Sequence, residues 1–330
     1  MVFYNSAYMQ PSFEEAHDVQ WPPLGLLLLS CAKVKHTAVF QTLSNRFHEP
    51  ALFPFTIINQ ESATVNEKAY ADIEWCKHIL RRCIMPIVYL SPSTQENNYY
   101  VTGGTEEQYM NLLCDQVIPY LNASGIAFTR NDRTLSAGDA IRQANDGYYD
   151  LYVALHSNAA PEGQYGTKRG CEVYYYRYGQ NSRRAARIFV DSLKTVYPLP
   201  ENVIMIPTTT LGEVSRTRAP AVLLEIGFHD NVSDANWIKN NLPAIARAVA
   251  GGILQYFGLP LVRPQQPQSA RVSLTSGTLN IRARPDTNSR ILASAPNGSP
   301  ITVLGVTGNW YVVRYGSVTG YAVSRFINLV

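Results

Sequence analysis

Between Met85 and Val330 the chain carries only two histidines, His156 and His229, so any imidazole-ligated metal centre in that stretch must draw on them. His156 sits in Leu155-His156-Ser157-Asn158-Ala159, at the end of a segment, 150–156, that reads as a strand. Enzymes built on parallel sheets gather their reactive groups at the carboxyl ends of strands. Alternation of side chains puts His156 on the side of Tyr152 and Ala154. Glu225 is embedded in the run Ala-Val-Leu-Leu-Glu-Ile-Gly-Phe at 221–228. A carboxylate there is costly unless it is paired, bound to a metal or shifted in pKa. If the strand stays extended through Phe228, Glu225 and His229 share a face; otherwise His229 simply caps a loop. Glu106 and Glu107 open a helical segment, where an acid complements the helix dipole whatever else it does.

The elements that must position these residues begin at Pro86. Residues 87–90 read as a short strand and 105–122 as a helix, with Thr105 as N-cap, Gln108 completing a capping box and Pro119 kinking its end. Strands follow at 126–129, 150–156, 172–176 and 220–226, with helices at 136–145, 182–196 and 234–257, the last interrupted at Pro243. Alternating strands and helices predict an α/β domain, a mostly parallel sheet with flanking helices, over 85–258. The apolar 220–226 strand suits a sheet centre covered on both faces. Residues 259–270 are rich in Pro and Gln and read as an extended linker. From 271 to 330 the rhythm changes to short strands at 278–282, 299–306, 310–315 and 320–324, with turn signals at Asn297-Gly298 and Gly308-Asn309, which predicts a small all-β barrel.

Residues 1–84 are poorly patterned and hold the other four histidines, His17, His36, His48 and His78, without metal-ligand spacing. They read as an N-terminal extension, disordered or upstream of a true start at Met85. The run Leu24 to Cys31 resembles a short signal core, but no Lys or Arg precedes it, so it makes no convincing signal peptide. No window approaches the length of a membrane span. Five cysteines without CxxC spacing suggest neither a disulfide frame nor a thiolate metal site. Apolar content of 46% against 16% charged supports real hydrophobic cores. The net charge of +3 is unevenly spread: residues 271–330 carry six Arg and one Asp. A basic module of that kind suits an anionic wall polymer, and no lysine-rich run or RNA-binding motif favours nucleic acid.

The ordered set Gly-Ile-Ala-Phe-Thr-Arg at 125–130, Ala144-Asn145, Asp150-Leu151, Leu155-His156-Ser157-Asn158-Ala159, Gly170-Cys-Glu-Val-Tyr-Tyr and Glu225-Ile226-Gly227-Phe228 followed by Asn231 resembles the zinc-dependent N-acetylmuramoyl-L-alanine amidases. The resemblance implies a phosphorylase/hydrolase-like sheet carrying Zn2+, with His156 and Glu106 as ligands (Glu107 the alternative) and Glu225 as the catalytic carboxylate. Asn158 becomes a candidate substrate contact. Such a site hydrolyses the amide between N-acetylmuramic acid and L-alanine of peptidoglycan. The family's usual histidine after the first strand is replaced here by Leu90-Ser91-Pro92-Ser93-Thr94-Gln95, a form that resembles a clostridial and phage branch. Gln95, close to the vacated position, and His229, from the other side, are the two candidates for the third ligand.

Residues 271–330 resemble bacterial SH3 domains through Leu279-Asn280-Ile281-Arg282-Ala283-Arg284-Pro285, Asn309-Trp310-Tyr311 and Gly320-Tyr321-Ala322. That resemblance implies wall binding, with Trp310 and Tyr321 as candidate ligand contacts, although a barrel this small needs some aromatics as core. Together the two resemblances imply a peptidoglycan hydrolase acting at the cell wall, as a phage endolysin or a bacterial autolysin. The rival readings are a wall-binding protein whose amidase fold has lost its metal, and a Cys/His peptidase.

Overall fold

The structure, a computed structural model, describes residues 85–330. The expectations for residues 1–84, including the Leu24–Cys31 segment and the four upstream histidines, lie outside the described residues.

Six strands form the first sheet: β1 (Ile87–Pro92), β2 (Ala127–Arg130), β3 (Leu151–Asn158), β4 (Cys171–Tyr176), β5 (Val203–Thr208) and β6 (Ala221–Phe228), in the order β2-β1-β3-β6-β4-β5. All neighbours are parallel except β4 and β6, which run antiparallel. The connection that leaves β3 has no crossover helix, and a parallel return would need one. β5 was not anticipated: its Val-Ile-Met-Ile-Pro-Thr carries Pro207 next to its end, which demotes a strand signal but is tolerated on the outermost strand.

Side-chain alternation sorts the sheet into two packed faces. On one, Val88, Leu90, Val153, Leu155, Val222 and Leu224 meet three helices, α1 (Glu106–Ala123), α3 (Gln180–Lys194) and α5 (Val232–Phe257). On the other, Tyr89, Tyr152, Ala154, Ala221 and Leu223 pack with α2 (Ala137–Asp146) and the single-turn α4 (Gly212–Ser215). Local chemistry sets the helix ends. Thr105 accepts from the Gln108 N–H at the start of α1, which carries Pro119 inside it, and Ser136 with Asp139 makes a reciprocal capping box on α2. Within α5 the backbone leaves the helical region at Asn241, two residues before Pro243, whose ring cannot continue the hydrogen-bond ladder.

Seven antiparallel strands form the C-terminal barrel: β7 (Gln268–Val272), β8 (Thr278–Arg282), β9 (Ile291–Pro296), β10 (Pro300–Thr307), β11 (Trp310–Tyr315), β12 (Val318–Val323) and β13 (Ile327–Leu329), in the order β13-β7-β10-β11-β12-β8-β9. Its core is Val272, Leu279, Ile281, Ile301, Val303, Val313 and Ala322. The expected linker is shorter than its composition suggested. Gln268, Ser269 and Ala270 already belong to β7 (Gln268–Val272), and Val262 is buried with its N–H donating to Ser124 Oγ at 3.1 Å.

The barrel is seated on the α/β domain, and this corrects the expectation for Tyr321. That ring is fully buried; its hydroxyl donates to the Ser124 carbonyl at 3.4 Å, and Val312 lies in the same core. A wall ligand cannot reach it. At Gly125 (φ +75°) a Cβ would come within 2.8 Å of Thr319 and 3.1 Å of Val312, so glycine is required both by conformation and by the barrel's approach. Trp310 is half-buried against the same core and keeps part of its surface open. Tyr321→Ala is expected to cost about 3–5 kcal/mol, the range for truncating a large buried aromatic, seen as a lower urea midpoint. A wild-type midpoint with wall binding lost would restore Tyr321 as a ligand contact.

Candidate active site

Three strands put three titratable side chains side by side. His156 on β3 is in register with Glu225 on β6, and Glu225 with Glu172 on β4. All three follow the parity of the second sheet face, the face of Tyr152, Ala154, Ala221 and Leu223. From the loop after β1 and the first turn of α1 come Gln95 and Glu106, which reach over the ends of the strands.

The centre of the cluster is the His156 ring. Nδ1 donates to Glu106 Oε1 at 2.8 Å, and Gln95 Nε2 lies 3.4 Å from the same nitrogen. Asn98 donates to Glu106 Oε2 at 2.6 Å and to Gln95 Oε1 at 3.0 Å, tying the two residues together. On the far side of the ring, Nε2 donates to Glu213 Oε2 at 2.8 Å. Burial disfavours the charged ring, but the bonds to Glu106 and Glu213 prevail and hold its pKa well above the usual value of 6.5. Burial likewise opposes ionisation of Glu106 and Glu213, and the bonds to His156 prevail there too, lowering both.

Glu225 differs from its neighbours. Its Oε2 is buried and has no hydrogen-bond partner. Burial, reinforced by Glu106, Glu172 and Glu213 and partly offset by His156, pushes the carboxyl up to about 8. Glu172 next to it is engaged, accepting from Asn158 Nδ2 at 2.9 Å and from the Tyr174 hydroxyl at 2.7 Å.

The structure thus brings together Gln95, Glu106, His156 and Glu225, with Asn158 at the margin beside Glu172. Glu107 stays outside: its carboxylate accepts from Asn111 and faces Arg133. His229 is also elsewhere, which corrects its candidacy as a ligand. Its Nδ1–H donates to the Ser157 carbonyl at 2.8 Å and its ring stacks on Tyr100. The reason is Gly227, in the left-handed region at φ +74°. After His156 pairs with Glu225, Asn158 pairs with Phe228, so β6 holds one extra residue. That bulge reverses the parity on which a shared face for Glu225 and His229 depended.

Glu213 was not anticipated. It belongs to the four-residue α4, too short to show periodicity, and its carboxylate is revealed only by what packs on it.

The donor set fits a divalent metal at Nδ1. An imidazole nitrogen, a carboxylate and a side-chain amide converge there, beside an orphaned buried carboxyl oxygen. Among the described residues no three His, Cys, Asp or Glu side chains make a metal site by themselves, because Glu106 and Glu213 flank opposite ring nitrogens. The amide of Gln95 lies within reach as a third donor at Nδ1, since its Oε1 and Nε2 exchange places by a rotation about the last side-chain bond.

Residues 93–255 match the family model described as N-acetylmuramoyl-L-alanine amidase. This segment belongs to that family. Residues 277–328 match the bacterial SH3 domain. The amidase segment is similar to the N-acetylmuramoyl-L-alanine amidase LytC of Bacillus subtilis, 26% identical over 179 residues, which are 52% of this chain and 35% of LytC. It is also similar to the amidase CwlM of Bacillus licheniformis, 28% identical over 143 residues, 42% of this chain and 53% of CwlM. The chain therefore spans about a third of the one relative and half of the other. A solved structure similar to this domain is the amidase AmiC2 of Nostoc punctiforme, at 17% identity and a TM-score of 0.47, covering 52% of this chain and 97% of that one.

Proposed function

We propose that the chain hydrolyses peptidoglycan at the bacterial cell wall as a zinc-dependent N-acetylmuramoyl-L-alanine amidase, cutting the amide between N-acetylmuramic acid and L-alanine. The observation that carries this is the convergence of Gln95, Glu106 and His156 Nδ1 next to the unpartnered carboxyl of Glu225. Gln95, Glu106 and His156 would hold the zinc and leave one position open. Bound zinc would polarise the scissile carbonyl and make a water acidic.

The rest falls to the protein. Glu225 accepts the proton of the attacking water and passes it to the departing amino group of L-alanine, while the lactyl carbonyl gains the hydroxyl. Its buried setting suits a carboxylate that must both take and return a proton. Glu172, steadied by Asn158 and Tyr174, lines the same face. Residues 85–258 form the catalytic part in this reading and 271–330 the wall-binding part, with Trp310 as the remaining aromatic candidate for wall contact. Attachment to the wall raises the effective concentration of the enzyme at an insoluble substrate. Among the described residues no helix is long and apolar enough to cross a membrane.

Metal content and chelation of the full chain test this directly. One zinc per chain, and release of wall fragments that stops on chelation and returns with zinc, is the expected result. Wall binding without zinc and without release would make the chain a binder and not an enzyme. Gln95 gives a second handle. Gln95→His is expected to tighten zinc binding by about tenfold or more, since imidazole is a far better zinc donor than an amide, and Gln95→Ala to loosen it. Unchanged affinity in both variants, by competition with a chromophoric chelator, would remove Gln95 from the metal.

A further inference from the structure

We propose that Glu213 is the positioning residue that sets His156 for metal binding, holding Nε2 as the N–H donor so that Nδ1 is the nitrogen that gives up its proton and turns its lone pair to the metal. The proposal rests on the zinc amidase reading above and extends it to a residue outside the family motif.

A buried imidazole that binds metal through one nitrogen needs its other N–H satisfied, and the acceptor fixes both the tautomer and the ring plane. Glu213 supplies that acceptor at 2.8 Å. The carboxylate is itself held. Its second oxygen, Oε1, accepts from the Ser91 hydroxyl at 2.7 Å and from the Tyr152 hydroxyl at 2.7 Å. Tyr152 stacks on Tyr89 with centroids 5.1 Å apart, and the Tyr89 hydroxyl donates to Gln143 at 2.6 Å. Ser91, Tyr152, His156 and Glu213 are all buried. Both oxygens of Glu213 are thus occupied by donors from β1 and β3, and the carboxylate has no free rotation with which to leave the ring. Glu106 and Gln95 meet the opposite nitrogen, so the ring is clamped between an orienting acid and a metal-facing pair.

An ordinary buried ion pair would affect folding alone; a positioning residue also affects the metal. The test compares the full chain with Glu213→Gln and Ser91→Ala, measuring zinc affinity by chelator competition and the 15N shifts of the His156 ring. Glu213→Gln is expected to melt cooperatively, to bind zinc about 10- to 100-fold more weakly, and to show a changed Nε2 shift. Ser91→Ala, which loosens Glu213 without touching the ring, is expected to show a smaller loss in the same direction. Cooperative melting with wild-type zinc affinity in Glu213→Gln overturns the proposal. So does complete loss of zinc from folded Glu213→Gln, which would put Glu213 on the metal itself. If Glu213→Gln does not fold, unchanged affinity in Ser91→Ala overturns it. A wild-type chain that takes up no zinc overturns the amidase reading, and this proposal with it; wild-type zinc binding with an indifferent Glu213 leaves that reading standing.

Discussion

Glu225→Gln is expected to lower turnover on peptidoglycan by about 10²- to 10⁴-fold, the range for removing a positioned general base, while zinc stoichiometry stays at wild-type level. The amide keeps the shape of the side chain but cannot accept the water's proton. Stability is expected to hold or rise slightly. The wild-type carboxyl is buried, has an oxygen without a partner, and has a pKa pushed up to about 8, so the fold gains little from its charge. Activity and zinc content measured on the same preparation, with a urea midpoint, separate the roles. Near-normal turnover in the folded, zinc-loaded variant would take Glu225 out of the chemistry.

The second large effect is expected at His156. His156→Ala removes the partner that Glu106 and Glu213 share, leaving two buried carboxylates facing a void. Removing one member of a buried pair costs about 3–5 kcal/mol, so the metal-free variant should unfold at much lower urea than the wild type, and it should bind no zinc. The pH dependence follows from the directions of the shifts. The ring's pKa lies well above 6.5 and those of the carboxyls lie below 4.5. All three groups are therefore charged between those limits. In acid the stabilisation fades as pH falls below 4.5 through the lowered carboxyl values. In alkali it fades as pH rises through the raised value of the ring. The gap between wild type and variant should be widest in between, and a gap independent of pH would contradict the charged pairing.

Much of this site was legible in the sequence. Alternation put His156 on the side of Tyr152 and Ala154, and the apolar run 221–228 marked Glu225 as an acid needing a reason; that the two share one sheet face in register came only with the strand order. Glu106 was separable from Glu107 only through the family's helix spacing; in the fold the first faces His156 and the second faces Arg133. What could not be read depended on tertiary placement. The position of His229 turned on one left-handed glycine that inserts a residue into β6. Glu213 lies on a single helical turn, where neither periodicity nor apolar context marks a buried acid. Tyr321 carried a module motif, yet its surroundings come from Ser124 and Gly125, almost two hundred residues upstream. The mixed sheet likewise followed from a loop without a helix between β3 and β4, a feature of connection and not of strand propensity.

The most direct measurement is the identity of the bond cut. Isolated peptidoglycan is digested with the zinc-loaded full chain, and the products are analysed by mass and by amino-terminal labelling. New amino termini consisting of L-alanine, released in step with glycan strands that have lost their stem peptides, are the predicted result. New termini at any other residue, new reducing sugar ends, or no release from the zinc-loaded protein would contradict the account.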